Sequence, residues 1–296
     1  MLQLPFIKMH GAENDYIFFD GFESPLPPRI EELAPQICQR HSHIGADGII
    51  TMRRPADAEA DVEMHIWNAD GAQAEMCGNG ARCIAVWMKQ QKRVQDRCRI
   101  QTADRIVRAF DIHCTRSGGK ATVDMGDARQ LSAPEGEEIR LTNDRTVSIH
   151  RINIGNPHAV LRTDELSVEL VREFGPQIEC HPSQTERTNV HFVRTLGPQQ
   201  FQARVWERGS GETRACGSGA CAILAALTHA GVVRRGDTCS ICMPGGELKV
   251  QWPLNSGILL GGPVVIAFSG SLNVPVSSSQ QYETNDAGRT DSASQP

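Results

Sequence analysis

Two stretches of the chain match each other. Trp67-Asn68-Ala69-Asp70-Gly71, followed by Glu75-Met76-Cys77-Gly78-Asn79-Gly80-Ala81, returns 139 residues later as Trp206-Glu207-Arg208-Gly209-Ser210 and Arg214-Ala215-Cys216-Gly217-Ser218-Gly219-Ala220. In both copies the tryptophan precedes the cysteine by ten residues. Such an echo restricts the fold to two copies of one supersecondary unit. After Cys77, apolar residues fall at Ala81, Ile84, Ala85 and Met88; after Cys216 the same offsets give Ala220, Ile223, Leu224 and Leu227. This is the i, i+3, i+4, i+7 spacing of a helix face. The second helix is apolar almost all round, so it is expected in the middle of a domain. Upstream, Val62 to Ile66 and Phe201 to Val205 alternate imperfectly, as strands do. Each half therefore reads as strand, loop, cysteine, glycine-rich turn and buried helix: a duplicated α/β (α+β) domain.

Other segments fit two halves. Short β-like runs recur, as in Ile49 to Met52, Val190 to Val193 and Val264 to Phe268, while further helical pattern is confined to Ile30 to Gln39 and Leu166 to Phe174. A seam is expected between Met125-Gly126-Asp127 and Arg140. This gives an N-terminal domain over 1–128, with 263–272 returning to it, and a C-terminal domain over 129–262. From Ser269 onward Ser, Gln, Thr and Asn dominate, and residues 273–296 are expected to be a disordered tail.

A net charge of −5 without a Lys/Arg run argues against nucleic acid or an anionic membrane as partner. Met1 to His10 lacks the apolar stretch of a signal peptide, and the longest apolar run, Ala220 to Leu227, cannot span a bilayer. A cytoplasmic protein is expected. Of ten cysteines only Cys239 and Cys242 form a C-x-x-C pair, with no second pair to complete a zinc site. No metal is expected, and most thiols should be reduced core residues.

Cys77 and Cys216 need another account. A cysteine just ahead of a helix meets unpaired backbone N–H groups and the positive end of the dipole. Both lower its pKa from about 8.5 into a range of roughly 3.5–7.5. The adjoining glycines let an anion approach those amides. Two such elements suit a carboxylate held between helix ends with a sulfur on either side of its α-carbon. One cysteine, as thiolate, would take the α-proton from one face; the other, as thiol, would protonate the opposite face. No pyridoxal or other cofactor is called for. Cys83 and Cys221, further along each helix, are expected to pack in the core.

Taken with His10-Gly11, Asn14-Asp15-Tyr16, Gly155-Asn156-Pro157-His158 and Arg187-Thr188-Asn189-Val190, these blocks resemble the diaminopimelate epimerase family over residues 4 to 272. The resemblance implies two similar domains, each a sheet curled round a central helix, with the active site in the cleft between them. It implies conversion of LL- to meso-2,6-diaminopimelate. It assigns Cys77 and Cys216 as the acid/base pair and Gly78, Asn79, Gly217 and Ser218 as holders of the reacting carboxylate. Asn14, Asn68, Asn156, Asn189, Glu207 and Arg208 match substrate-binding positions, and His158 and Glu207 match polar groups assisting near the reacting centre. His10 and His191 are expected to serve structure. The only partner implied is the small-molecule substrate, with a homodimer as the expected assembly.

Three positions depart from the family pattern: Glu13 replaces the usual glycine, Tyr16 the commoner phenylalanine, and Gly48 a glutamine found in some members. Two rival readings share parts of the pattern. One is a racemase or epimerase of another amino acid, of proline, hydroxyproline or histidine type. The other is a non-catalytic anion-binding or redox-switch module.

Overall fold

The computed structural model describes residues 2–142, 144–184 and 186–274. The segment 275–296, most of the expected tail, lies outside the described residues; Asn273 and Val274 close the last strand. The first half runs β1 (Leu2–Gly11), β2 (Asn14–Asp20), α1 (Ile30–Ile37), β3 (Gly48–Arg53), β4 (Val62–Asn68), β5 (Gln73–Ala74), α2 (Gly78–Gln90), β6 (Arg97–Gln101), β7 (Ile106–Thr115) and β8 (Gly118–Asp124). The second runs β9 (Arg129–Gln130), β10 (Glu137–Arg140), β11 (Thr146–Asn153), β12 (Pro157–Arg162), α3 (Val168–Glu179), β13 (Asn189–Gly197), β14 (Gln200–Glu207), β15 (Gly211–Thr213), α4 (Gly217–His229), β16 (Thr238–Met243), β17 (Gly246–Gln251) and β18 (Leu259–Val274).

The pairing repeats with the sequence. β2 lies parallel to β3, β3 antiparallel to β4, and β4 parallel to β6, which turns back into β7 and β8. In the second half β12, β13, β14, β16, β17 and β18 repeat those relations in the same order. The parallel crossovers carry α1 and α2 in one half, α3 and α4 in the other, as parallel pairing requires. β18 is long enough to serve both halves: Leu259–Gly261 pair with β17, Leu259–Val265 with β8, and Val265–Val274 with β1. With β1 joined to β2, this closes an eight-stranded barrel around α2.

Two classes of helix follow from two classes of sequence. α2 and α4 are enclosed, each with ten of thirteen residues buried, so neither has a solvent face. They share one core in which Ile84, Val86, Ile223 and Leu224 are fully covered. Each such side chain contributes roughly 1.5–3 kcal/mol by leaving water. α1 and α3 lie outside, over separate clusters that include Trp67 and Trp206. The matched tryptophans are therefore packing residues: the Trp206 indole N–H donates to Glu179 of α3 at 2.7 Å.

α3 starts two residues later than its periodicity predicts and runs five further. Ser167 is its cap, accepting the Leu170 N–H at 3.1 Å, and Ile178 is buried against the sheet beyond Pro176. Among the described residues no helix is long and apolar enough to cross a membrane.

Candidate active site

Each cysteine caps its helix with sulfur. Cys77 is extended (φ −137°, ψ 111°) and accepts the Gly80 N–H at 3.3 Å; Cys216 (φ −128°, ψ 115°) accepts the Gly219 N–H at 3.4 Å. The sulfur satisfies one of the orphan donors that a helix start leaves open, while those before it remain free for an anion. The third residue of each turn must be glycine because the sheet presses there. A Cβ on Gly80 would stand 2.4 Å from Ile50 Cδ1, and one on Gly219 2.1 Å from His191 Cε1.

The backbone is duplicated, but the surroundings of the two sulfurs are not. Around Cys77, Asn14 Oδ1 lies 3.7 Å from the sulfur and accepts the Asn79 side-chain amide at 2.9 Å. Tyr16 lines the same cavity wall as this sulfur. Arg82, one turn into α2 and fully buried, holds Asn79 Oδ1 at 2.7 Å. Around Cys216 stand the Ser218 hydroxyl at 3.5 Å and the Glu207 carboxylate, which accepts from Thr213.

Burial pushes both thiols up, against the lowering expected of helix ends. For Cys77 the rise is countered by Tyr16, the Gly80 and Asn79 amides and the Arg82 charge. Cys216 goes well above the thiol range because the Glu207 charge adds to burial. Burial likewise raises Glu207. Desolvation outweighs the few amides each helix end supplies.

A cavity of about 640 Å³ joins the two sulfurs, lined among others by Cys77, Cys216, Gly78, Asn79, Gly217 and Ser218. Asn14, Asn68, Asn156, Asn189, Glu207 and Arg208 also line it, so the structure brings together every site residue expected from sequence except His158. His158 is 1% exposed and stands behind the wall. Its Nε2 meets Asn156 Oδ1 at 2.7 Å and its Nδ1 meets His191 Nε2 at 2.8 Å. Its contact with the cavity runs through Asn156. Burial pushes His158 well below the usual histidine range, and His191 down to about 3, so both rings are neutral.

Other walls are set from outside. Asn189 donates to the Pro157 carbonyl at 3.1 Å and accepts the Arg208 N–H at 3.0 Å, tying two site loops together. Glu179, buried on α3, accepts from Arg187 and from the Gly209 N–H at 2.9 Å. Asp47 fixes Asn14 by accepting its amide at 2.8 Å and is paired with Arg40. Sequence reasoning missed Arg82, Asp47, Glu179 and Tyr16 as parts of this site. Arg82 alone left a signal, a charge inside an otherwise buried helix.

The diaminopimelate epimerase model matches residues 6–131 and 151–266, both cysteine turns included. The chain belongs to the diaminopimelate epimerase family. Relatives bearing that name include one from Synechococcus elongatus, 35% identical across 92% of this chain and 99% of its own. Another, from Heliobacterium modesticaldum, is 37% identical across 91% and 99%. Solved structures share the fold at lower identity. A probable proline racemase from Agrobacterium radiobacter K84 superposes with a TM-score of 0.73 at 15% identity, over 92% of this chain and 93% of its own. A hydroxyproline epimerase from Agrobacterium vitis gives 0.68 at 15%, over 91% of each. Within this family the two-domain plan, with a helix enclosed by each sheet, is the shared frame for the cleft.

Proposed function

We propose that this chain interconverts LL- and meso-2,6-diaminopimelate by proton transfer between Cys77, the substrate α-carbon and Cys216. The observation that carries the reading is the pair of sulfur-capped helix starts opening on one cavity. A substrate carboxylate seated on the Gly78, Asn79, Gly217 and Ser218 amides would present its α-carbon between the sulfurs. The thiolate removes the α-hydrogen as a proton from one face, and the thiol of the other cysteine donates its proton to the opposite face. Atoms balance without a cofactor, and the two sulfurs end with exchanged protonation. The amides are positioned where negative charge grows on the carboxylate, which is where fixed dipoles accelerate reaction most.

The far end of the substrate, a second amine and carboxylate, would meet Asn68, Asn156, Asn189, Glu207 and Arg208. A ring substrate of the proline type carries no second amine and carboxylate to engage Asn68, Glu207 and Arg208. The reading takes 1–128 with 263–272 as one unit and 129–262 as the other, a division supported by the matched strand orders. It carries with it a cytoplasmic enzyme and a homodimer, which light scattering would check.

The test is isotope wash-in. Incubated with LL-diaminopimelate in deuterated water, the reduced protein should yield meso product labelled at the α-carbon. Cys77→Ala and Cys216→Ala should each lower turnover at least about 10²-fold, the lower range for a general acid or base. Turnover of proline, hydroxyproline or histidine but not of diaminopimelate would overturn the substrate. Undiminished formation of labelled meso product after either substitution would overturn the two-sulfur mechanism.

A further inference from the structure

We propose that Arg82 is a positioning residue whose counter-ion is the substrate carboxylate: its buried guanidinium, without a carboxylate partner among the described residues, holds Asn79 where the two helix starts meet. The inference rests on the two-cysteine reading above and deepens it by naming the charge that selects the reacting group.

The place is electrostatically unfavourable for a cation. Arg82 is the fifth residue of α2, and side chains on a helix lean toward its N-terminus, so the guanidinium comes to lie behind the first turn. There the helix dipole is positive, and a cation is favoured only at the opposite end. α4 begins against the same spot: a Cβ on Gly217 would lie 3.2 Å from Asn79 Oδ1. Arg82 is nonetheless 0% exposed, and a guanidinium keeps its proton wherever it is placed.

Its own contacts do not offset this. Nη2 donates to Asn79 Oδ1 at 2.7 Å, Nη1 reaches the Gly78 carbonyl only at 3.5 Å, and Nε has no partner. The ionisable groups that face it are the thiols of Cys77, Cys83 and Cys221. Burial raises all three, Cys83 and Cys221 to about 12, so none supplies a resting negative charge. Buried charges are as a rule paired. Here two helix starts and a guanidinium gather at one point, and the anion that would balance them is left to come from outside the chain.

The fold keeps the place open. Gly11 on β1 and Gly262 on β18 face the guanidinium: a Cβ on the first would lie 2.9 Å from Nη2, and on the second 3.2 Å from Nε and Cζ. Both polar contacts of Arg82 go to Gly78 and Asn79, two residues of the proposed carboxylate seat on the cavity wall. Asn79 passes the constraint on, since its amide donates to Asn14 Oδ1 at 2.9 Å. The repeat supplies no second cation, for the matching position 139 residues on is Cys221. One guanidinium therefore serves both helix starts. Negative charge that grows on the carboxylate as the α-proton leaves would find it already in place.

The test is protection of Cys77 and Cys216 from iodoacetamide by acetate, the smallest ligand with the reacting group, at an ionic strength held constant with sodium chloride. Acetate should slow the labelling of both cysteines in the wild type. Arg82→Gln keeps a donor toward Asn79 and drops the charge. Its half-protecting acetate concentration should rise about tenfold or more, as loss of a charge sheltered from water implies. Arg82→Lys keeps the charge and should stay nearer the wild type than Arg82→Gln does. Arg82→Met keeps the apolar stem alone, and its urea unfolding midpoint without acetate should match or exceed that of the wild type, because an unpaired buried charge is gone. A merely structural arginine would give the reverse, a lower midpoint with unchanged protection. Equal half-protection in the wild type and Arg82→Gln, or no protection of the wild type, would overturn the proposal, as would a lowered midpoint in Arg82→Met. Acetate is bound without turnover, so failure to convert diaminopimelate would remove the function without bearing on Arg82.

Discussion

His158 and His191 lie buried against each other, and burial keeps both neutral in the folded chain. The consequence for stability has a definite sign. In the unfolded chain each ring takes a proton below about pH 6.5, and in the folded chain it does so only far lower. The stabilisation is complete above that pH and is lost as pH falls from about 6.5 toward the folded value, about 3 for His191. The steepest loss is about 1.4 kcal/mol per pH unit for each histidine. Glu207, with its carboxyl raised by burial, acts in the opposite direction and favours the fold as pH falls. His191→Gln keeps a donor toward His158 and removes one titrating ring. Its urea unfolding midpoint should therefore fall less than that of the wild type between pH 7 and pH 5. Parallel pH dependence in the two proteins would show that His191 does not carry the effect.

The two capped turns are the same element against different neighbours. Gly80 faces the tip of Ile50, a flexible end that can rotate away, whereas Gly219 faces an imidazole fixed by a 2.8 Å bond to His158. Overpacking costs typically about 1–3 kcal/mol when neighbours cannot yield. Gly219→Ala should therefore sit at the upper end of that range and Gly80→Ala at the lower end, read as denaturation midpoints. Both turns remain helical in sequence, so circular dichroism should hardly change. Equal costs would mean that the histidine pair is softer than its hydrogen bonds indicate.

At the scale of the molecule, β18 is common to both halves, and the β1–β2 turn reaches across the cleft. That turn carries Ala12 and Glu13 at positive φ (53° and 61°), the conformation of a tight hairpin. It presents Glu13 to Arg214, two residues before Cys216, in an ion pair the usual glycine could not make. Arg214 also donates to the Pro244 carbonyl at 3.1 Å. Both charged groups are about half exposed, so the pair contributes little to stability. A double-mutant cycle with Glu13→Gln and Arg214→Gln should give a coupling below about 1 kcal/mol, falling as salt rises. A larger, salt-insensitive coupling would mark the pair as a clasp between the halves.

The sequence by itself determined the duplication, the two enclosed helices and the cysteines at their starts. These rest on local signals: a repeat in fixed register, a 3.6-residue period, and glycines where a turn meets the sheet. Through family motifs it also named the helix-start residues and the polar groups of the cavity wall, though not Asp104, Arg105, Met125 or Asp127 beside them. Tertiary structure decided what differs between the matched halves. Tyr16 comes to line the cavity beside Cys77, and Arg82 becomes a buried charge because the barrel closes over α2. His158 falls behind the wall because its strand turns the ring inward to His191. Burial, which no motif records, overrides the helix ends and raises both thiols. Periodicity reports which face of an element is covered, but the charge state of a sulfur depends on groups brought to it from distant parts of the chain.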